Sequence, residues 1–269
     1  MFKLFFSCFI VSALFAKTQI ENFLINIELQ NSYSGMQNVD CIYVINLEHR
    51  FEKWLTTKKG LESYGIYPNR VNAINGWQFS EEVKQSLLGP HPLRLRGGQI
   101  GCILSHISAL QDANKKGFEI IWVCEDDIEI CENPHQISQY LALLSNLDPQ
   151  WDILYTDSDS KNSEGMRVPS LVSDFRPDLP HFPPSYYIQR RFVHGDIQRI
   201  YQRFGAYSLL ISKKGIRKIL DHFLNNYLWT AYDIDIHYVP NIRQYCIHRD
   251  LVSINYKTPS DTTYHYRTN

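Results

Sequence analysis

The chain has 269 residues, near the upper end for one domain and enough for a large α/β core. Its 27 Lys and Arg against 28 Asp and Glu leave a formal charge of −1, which excludes a protein built mainly to grip nucleic acid, because phosphate neutralisation needs a basic excess. Hydrophobic residues at 44% and charged residues at 20% exclude a mainly disordered chain.

Residues 1–16 (MFKLFFSCFIVSALFA) carry one Lys3 and then an uncharged apolar run. That run has the length of a signal-peptide core and is shorter than the ~20 residues of a spanning helix. Cleavage after Ala16, an uncleaved membrane tether and a buried N-terminal segment are the three readings. Export or membrane association follows from the first two, and a cytoplasmic setting is the alternative. Residues 17–38 are polar and mixed, a lead-in to a domain expected over 39–269.

From there strand and helix signals alternate. Cys41–Leu47 is short, apolar and β-branched, the mark of a buried strand. Phe51, Trp54, Leu55, Leu61 and Tyr64 recur at helical spacing, and Gly65 and Pro68 end that helix. A turn at Arg96–Gly98 opens a helix with an apolar stripe at Ile100, Ile103, Leu104, Ile107 and Leu110, closed by Gly117. Ile120–Cys124 predicts a strand, Ile137–Leu147 a helix and Trp151–Tyr155 a strand. Residues 157–203 are broken by prolines and read as one long functional loop. Ala206–Ile211 predicts a strand, Ser212 caps a helix through Leu224, and a last strand is expected near Tyr245–His248. Strands alternating with helices predict a mainly parallel, helix-covered sheet.

The chain has 6 Cys and no C-x-x-C. Cys41, Cys102, Cys124 and Cys246 lie in apolar runs, which predicts buried, reduced thiols.

Glu125-Asp126-Asp127 is the sharpest chemical feature. It falls where an apolar strand ends, and ligands bind at that edge of open α/β sheets. Three adjacent carboxylates repel one another, and a divalent cation held by their oxygens would relieve this. A solvated acidic turn is the alternative. Asp157-Ser158-Asp159 reads as a turn. Asp233 and Asp235, set among Tyr232, Ile234 and Ile236, are either a shielded general base or solvated loop acids. Ser105 and His106 are adjacent on a helix and cannot face each other, so a structural histidine is expected. Gly97, Gly98 and Gly101 allow close approach at a helix N-terminus, which favours anions. Arg190, Arg191, Arg199 and Arg203 cluster late in the long loop, and the first three are either a group for phosphate or acidic sugars or a solvated basic patch.

In their order these segments resemble family 25 glycosyltransferases, which include lipooligosaccharide and collagen galactosyltransferases. The likeness lies in Val44-Ile45-Asn46-Leu47 with Arg50 and Trp54; in Gly98-Gln99-Ile100-Gly101-Cys102 with Ser105-His106; in Glu125-Asp126-Asp127; and in Ala206-Tyr207 through Ser212-Lys213-Lys214-Gly215, followed by Asp233. It spans roughly residues 40–255. Three departures stand out: Gln99 replaces the family's Glu, Ala231-Tyr232 its Pro-Ile, and Glu48-His49 part of its basic pair.

The resemblance implies a single GT-A-like nucleotide-sugar-binding domain. It implies inverting transfer of galactose or glucose from a UDP-sugar donor to a glycan or lipid-linked saccharide acceptor, such as a lipopolysaccharide core, with a divalent cation, usually Mn²⁺. Carried onto this chain, Asn46, Arg50, Gly98, Glu125 and Asp126 would bind the donor. Asp127 and Glu125 would hold the metal, and Asp233 would be the catalytic residue, with Asp235 its rival. A metal-dependent phosphohydrolase and an inactive nucleotide- or carbohydrate-binding protein are the competing functions.

Overall fold

The computed structural model describes residues 20–91, 94–170, 175–177, 179–258 and 260–262. The apolar segment at residues 1–16 lies outside them. Among the described residues, no helix is long and apolar enough to cross a membrane.

The strands are β1 (Cys41–Asn46), β2 (Asn69–Asn72), β3 (Ile120–Glu125), β4 (Ile128–Ile130), β5 (Ile153–Tyr155), β6 (Arg190–His194), β7 (Ile197–Ile200), β8 (Ser208–Ser212), β9 (Gln244–Ile247) and β10 (Val252–Ile254). Eight of them form one sheet in the order β2-β1-β3-β8-β5-β9-β7-β6, and β10 pairs with β4 in a small second sheet. In the large sheet only β7 and β8 run against the others. The sheet is therefore mostly parallel in sense and has the mixed α/β architecture of a GT-A-like domain.

Alternation along the strands explains the two-sided core. Tyr43, Ile121, Val123, Leu209 and Ile211 face helices α3 (Gly97–Lys116) and α6 (Lys213–Leu224). Ile42, Val44, Trp122, Cys124 and Leu210 face α1 (Phe51–Glu62) and α4 (Gln136–Leu147). The predicted punctuation does its work. Gly117 closes α3 at φ 76°, and the Ser212 hydroxyl accepts from the Gly215 N–H at 3.2 Å to open α6.

Two expectations are revised. From Ile20 onward the lead-in packs on the domain, with Ile20, Ile27 and Met36 buried in its cores. Its Asn31 also exchanges hydrogen bonds with Asn69, covering the β2 edge. Residues 157–203 are not one loop but contain the β6–β7 hairpin and the short helix α5 (Pro184–Tyr187). Of the remaining helices, α2 (Glu81–Leu88) buries Leu87 and Leu88 in the core, and α7 (Tyr232–Asp235) lines the site.

Candidate functional site

Strands β2, β1 and β3 run parallel, so their carboxyl ends meet at one edge. There the loop after β2 packs against the start of α3. A Cβ on Gly101 would lie 2.2 Å from the Ile74 carbonyl oxygen, so only glycine permits this approach. The resulting cleft holds about 590 Å³ of open space and is lined by Lys53, Trp77, Gly98, Glu125, Asp126 and Asp127 among others. A second cleft, of about 770 Å³, is lined by Gln99, Tyr207, Tyr232 and Asp233. Cys102, Glu125, Ser260 and Thr262 line both, so the two clefts adjoin with Glu125 at the boundary.

The acidic triplet is distributed by its surroundings. The Asp126 carboxylate accepts from Asn46 Nδ2 at 2.6 Å, while the Asp126 carbonyl accepts from the Thr57 hydroxyl at 2.9 Å. Burial pushes the Asp126 carboxyl up to about 6 against the pull of Asn46 and Lys53. Asp127 is pushed well above the carboxylate range by burial and then by its neighbours Glu125 and Asp126. Its Oδ1 is buried and accepts no hydrogen bond. A buried, partnerless carboxylate oxygen beside two other acids is chemically matched to a hard divalent cation. By its chemistry Asp127 therefore fits such an ion.

Glu125 turns one carboxylate oxygen towards α3. Its Oε1 lies 3.3 Å from His106 Nε2 and 3.8 Å from the Cys102 thiol. Cys102 is half-buried at the cleft wall, unlike the fully buried Cys41, Cys124 and Cys246. Ser105 turns away from His106 and bonds the Gly101 carbonyl at 2.7 Å. No Ser–His pair forms, but His106 is linked to an acid the spacing did not suggest.

Asn46 is buried behind Asp126 rather than lining the cleft. Its amide also donates to the Arg50 carbonyl at 2.7 Å and accepts from Arg70 Nε at 2.8 Å. It therefore reaches the site through Asp126. Lys53 and Asp261 line the cleft, and Asp261 accepts from Arg50 at 2.8 Å and from Lys53 at 2.9 Å. Burial lowers the Lys53 pKa, but Asp261, Asp126 and Asp127 together raise it above its ordinary value. The same cations hold the Asp261 carboxyl below its ordinary value despite burial. Gly98 sits against this segment, since a Cβ there would meet the Asp261 and Thr262 carbonyl oxygens at 2.7 Å. Sequence reasoning missed Lys53 and Asp261 as site residues. Gln99 serves as a cap, its Oε1 accepting from the Arg96 N–H at 2.9 Å, a role that does not need the family's negative charge.

The two late acids separate. Asp233 faces the second cleft, and its Oδ2 accepts from the Gly205 N–H at 2.7 Å. Burial raises its pKa, the Gly205 bond lowers it, and Glu125 raises it again, for a net rise. Asp235 is fully buried and is held by Arg176 at 2.6 and 2.8 Å and by His222 at 3.1 Å. That ion pair keeps its carboxyl at about 2, with burial opposing and Arg176 prevailing. Asp235 is an anchor for α7 and lines neither cleft.

Asp157 and Asp159 are engaged elsewhere. Asp157 is buried with Arg203, Tyr207 and Ser253, and Asp159 pairs with Arg190 at 3.0 Å. The arginine cluster is therefore largely internal: Arg203 is wholly buried, and Arg199 is bonded to the Tyr245 hydroxyl at 3.0 Å. Arg191 remains exposed.

Comparison with known proteins agrees with this layout. Residues 39–236 match the family described as Glycosyltransferase family 25 (LPS biosynthesis protein). A human protein named "Inactive glycosyltransferase 25 family member 3" is 25% identical over 137 residues, which cover 46% of this chain and 23% of that relative. The shared stretch is thus under a quarter of the human protein's length. With the family match extending over most of the chain and containing the acidic strand end, the chain belongs to glycosyltransferase family 25.

Proposed function

We propose that this protein is a metal-dependent, inverting hexosyltransferase that moves galactose or glucose from a UDP-sugar to a glycan acceptor of the lipopolysaccharide core type. The observation that carries this reading is the partnerless Asp127 Oδ1 beside the Arg50–Lys53 cations, in a cleft that adjoins a second one holding Asp233. An acidic ion site and a cationic anion site side by side suit a metal-bound diphosphate.

In this reading Asp127 and Glu125 would hold the divalent cation, Mn²⁺ by the family resemblance. When bound, that ion supplies Lewis-acid stabilisation of charge on the departing diphosphate. Asn46 orients Asp126 from behind. Lys53 and Arg50 bind diphosphate oxygens once Asp261 leaves them, and Gly98 lets the diphosphate approach the start of α3. The acceptor occupies the second cleft, where Asp233 takes the proton of the attacking hydroxyl. The Gly205 N–H fixes the carboxylate there. Arg191 and the rest of the 160–203 region are the acceptor-facing side, and association with a membrane surface would bring a lipid-linked acceptor to it.

Turnover assays test this reading: UDP release from UDP-galactose and UDP-glucose, with Mn²⁺ and a lipopolysaccharide-core oligosaccharide. Acceptor-dependent release supports it. Release that ignores the acceptor identifies a hydrolase. Binding without release identifies a binding protein, a reading favoured by one observation, the seat of Asp261 on the donor-side cations.

A further inference from the structure

Cys102 and His106 are one turn apart on α3, so both side chains leave the same face. That face meets the end of β3, where Glu125 turns back towards them. One donor atom from each of the three residues falls in a cluster whose members all lie within 4.8 Å of one another. The separations can be compared with those a metal would impose. A tetrahedral zinc ion with bonds of about 2.3 Å to sulfur and about 2.0–2.2 Å to nitrogen and oxygen sets its ligands about 3.4 Å apart for N···O and about 3.6 Å apart for S···O. The observed separations are 3.3 Å for His106 Nε2 to Glu125 Oε1 and 3.8 Å for Cys102 Sγ to Glu125 Oε1. Both edges are within about 0.2 Å of the tetrahedral values.

The surroundings suit a site of this kind. The His106 ring is stacked on Tyr232 with centroids 4.3 Å apart and planes 19° apart, so its direction is set by packing. Cys102 and Glu125 line both clefts, so a fourth coordination position opens towards solvent and substrate. Three protein ligands with an open fourth position match the pattern of exchangeable zinc. A thiol and an imidazole select a thiophilic ion, whereas the carboxylate oxygens of the acidic triplet suit a hard one.

We propose that Cys102, His106 and Glu125 form a second cation site, selective for Zn²⁺-class ions, at the boundary between the two clefts. Binding replaces the thiol S–H bond with a metal–sulfur bond and releases that proton to solvent. Nε2 is the ligating nitrogen, and Nδ1 is buried without a hydrogen-bond partner among the described residues. The site rests on these three side chains and not on the donor reading. It does share Glu125 with that reading, so a bound thiophilic ion competes for this carboxylate and inhibits whatever the adjoining clefts do.

Co²⁺ is the probe, because a thiolate ligand gives it a charge-transfer absorption that oxygen ligands do not. The full chain, reduced and titrated with Co²⁺, should show this band, and Zn²⁺ should abolish it by displacement. Cys102→Ser should lose the band and weaken Zn²⁺ binding at least tenfold, while Cys131→Ser, which removes the one exposed thiol among the described residues, should leave both unchanged. Zn²⁺ should also slow alkylation of Cys102 at least tenfold, read by peptide mass spectrometry with Cys131 as the internal control. The absence of a thiolate band in the unaltered protein overturns the proposal, as does a band that survives Cys102→Ser. Because the first of these outcomes needs no variant, misfolding cannot shelter the idea.

Discussion

The carboxylate of Asp261 accepts a hydrogen bond from the Arg50 guanidinium at 2.8 Å, and its other oxygen accepts from Lys53 at 2.9 Å. An anion from the end of the described chain thus sits where the proposed function puts a phosphate. Trp77 Nε1 secures the same segment through the Asp261 carbonyl at 3.2 Å. Donor binding in this account requires that segment to move. Asp261→Ala should therefore tighten UDP binding about three- to tenfold, a gain of ~1 kcal/mol, when measured by calorimetry. Weaker binding in this variant would make Asp261 part of the donor site instead.

Asp233 carries the proton transfer in this account. Asp233→Asn should lower the turnover rate by roughly 10²–10⁴-fold and leave UDP affinity within twofold. The pH profile should carry the mark of its environment. The base works only when ionised, and burial and Glu125 raise its pKa, so activity should fall with decreasing pH through a limb placed above the ordinary carboxylate range. A limb at the ordinary value, or full activity in the Asn variant, would assign the proton transfer elsewhere.

Asn46 acts through Asp126. Asn46→Ala removes the 2.6 Å bond that aims this carboxylate. Asp126 is a donor-binding group in this account, so misaiming it should weaken UDP binding roughly tenfold, with and without Mn²⁺. A melting temperature and a metal affinity close to the parent's separate this effect from general misfolding.

Asp235 and Arg176 govern stability. Removing one partner of a buried pair leaves the other uncompensated, so Asp235→Asn should cost about 3–5 kcal/mol in denaturant unfolding. The folded pKa of Asp235, about 2, lies below its ordinary value of 3.8. The ionised form is therefore favoured by folding, and its stabilisation is fully present above pH ~4. It should fade as pH falls from there through about 2, by roughly 2 kcal/mol in total. A variant whose acid unfolding matched that of the parent would contradict this.

The elements that announce themselves in the sequence are those with a physical reason to do so. β1, β3 and β8 are covered on both faces and so read as continuous apolar runs. Asn69–Asn72 escaped because an edge strand bonded to the lead-in tolerates polar residues. The β6–β7 hairpin escaped for a related reason: its outer strand carries Arg190, Arg191 and His194 and pairs on one side only. In the site, the acidic triplet was legible because it ends an apolar strand. The meeting of Lys53 with Asp261 spans 208 positions and leaves no local pattern. Asp233 and Asp235 look alike in sequence, and only the partner brought by Arg176, 59 positions away, tells them apart. The Cys102–His106 spacing was in plain view, but its meaning depends on where β3 delivers Glu125.

The central claim is that the acidic strand end is a metal-assisted site for a nucleoside diphosphate. Calorimetric titration of the protein with UDP, with and without Mn²⁺, beside Asp127→Asn, tests it most directly. The account predicts UDP binding that strengthens at least tenfold with Mn²⁺ and loses that gain in the variant. Absence of UDP binding by the folded protein under both conditions, or an Mn²⁺ effect untouched by Asp127→Asn, would contradict it.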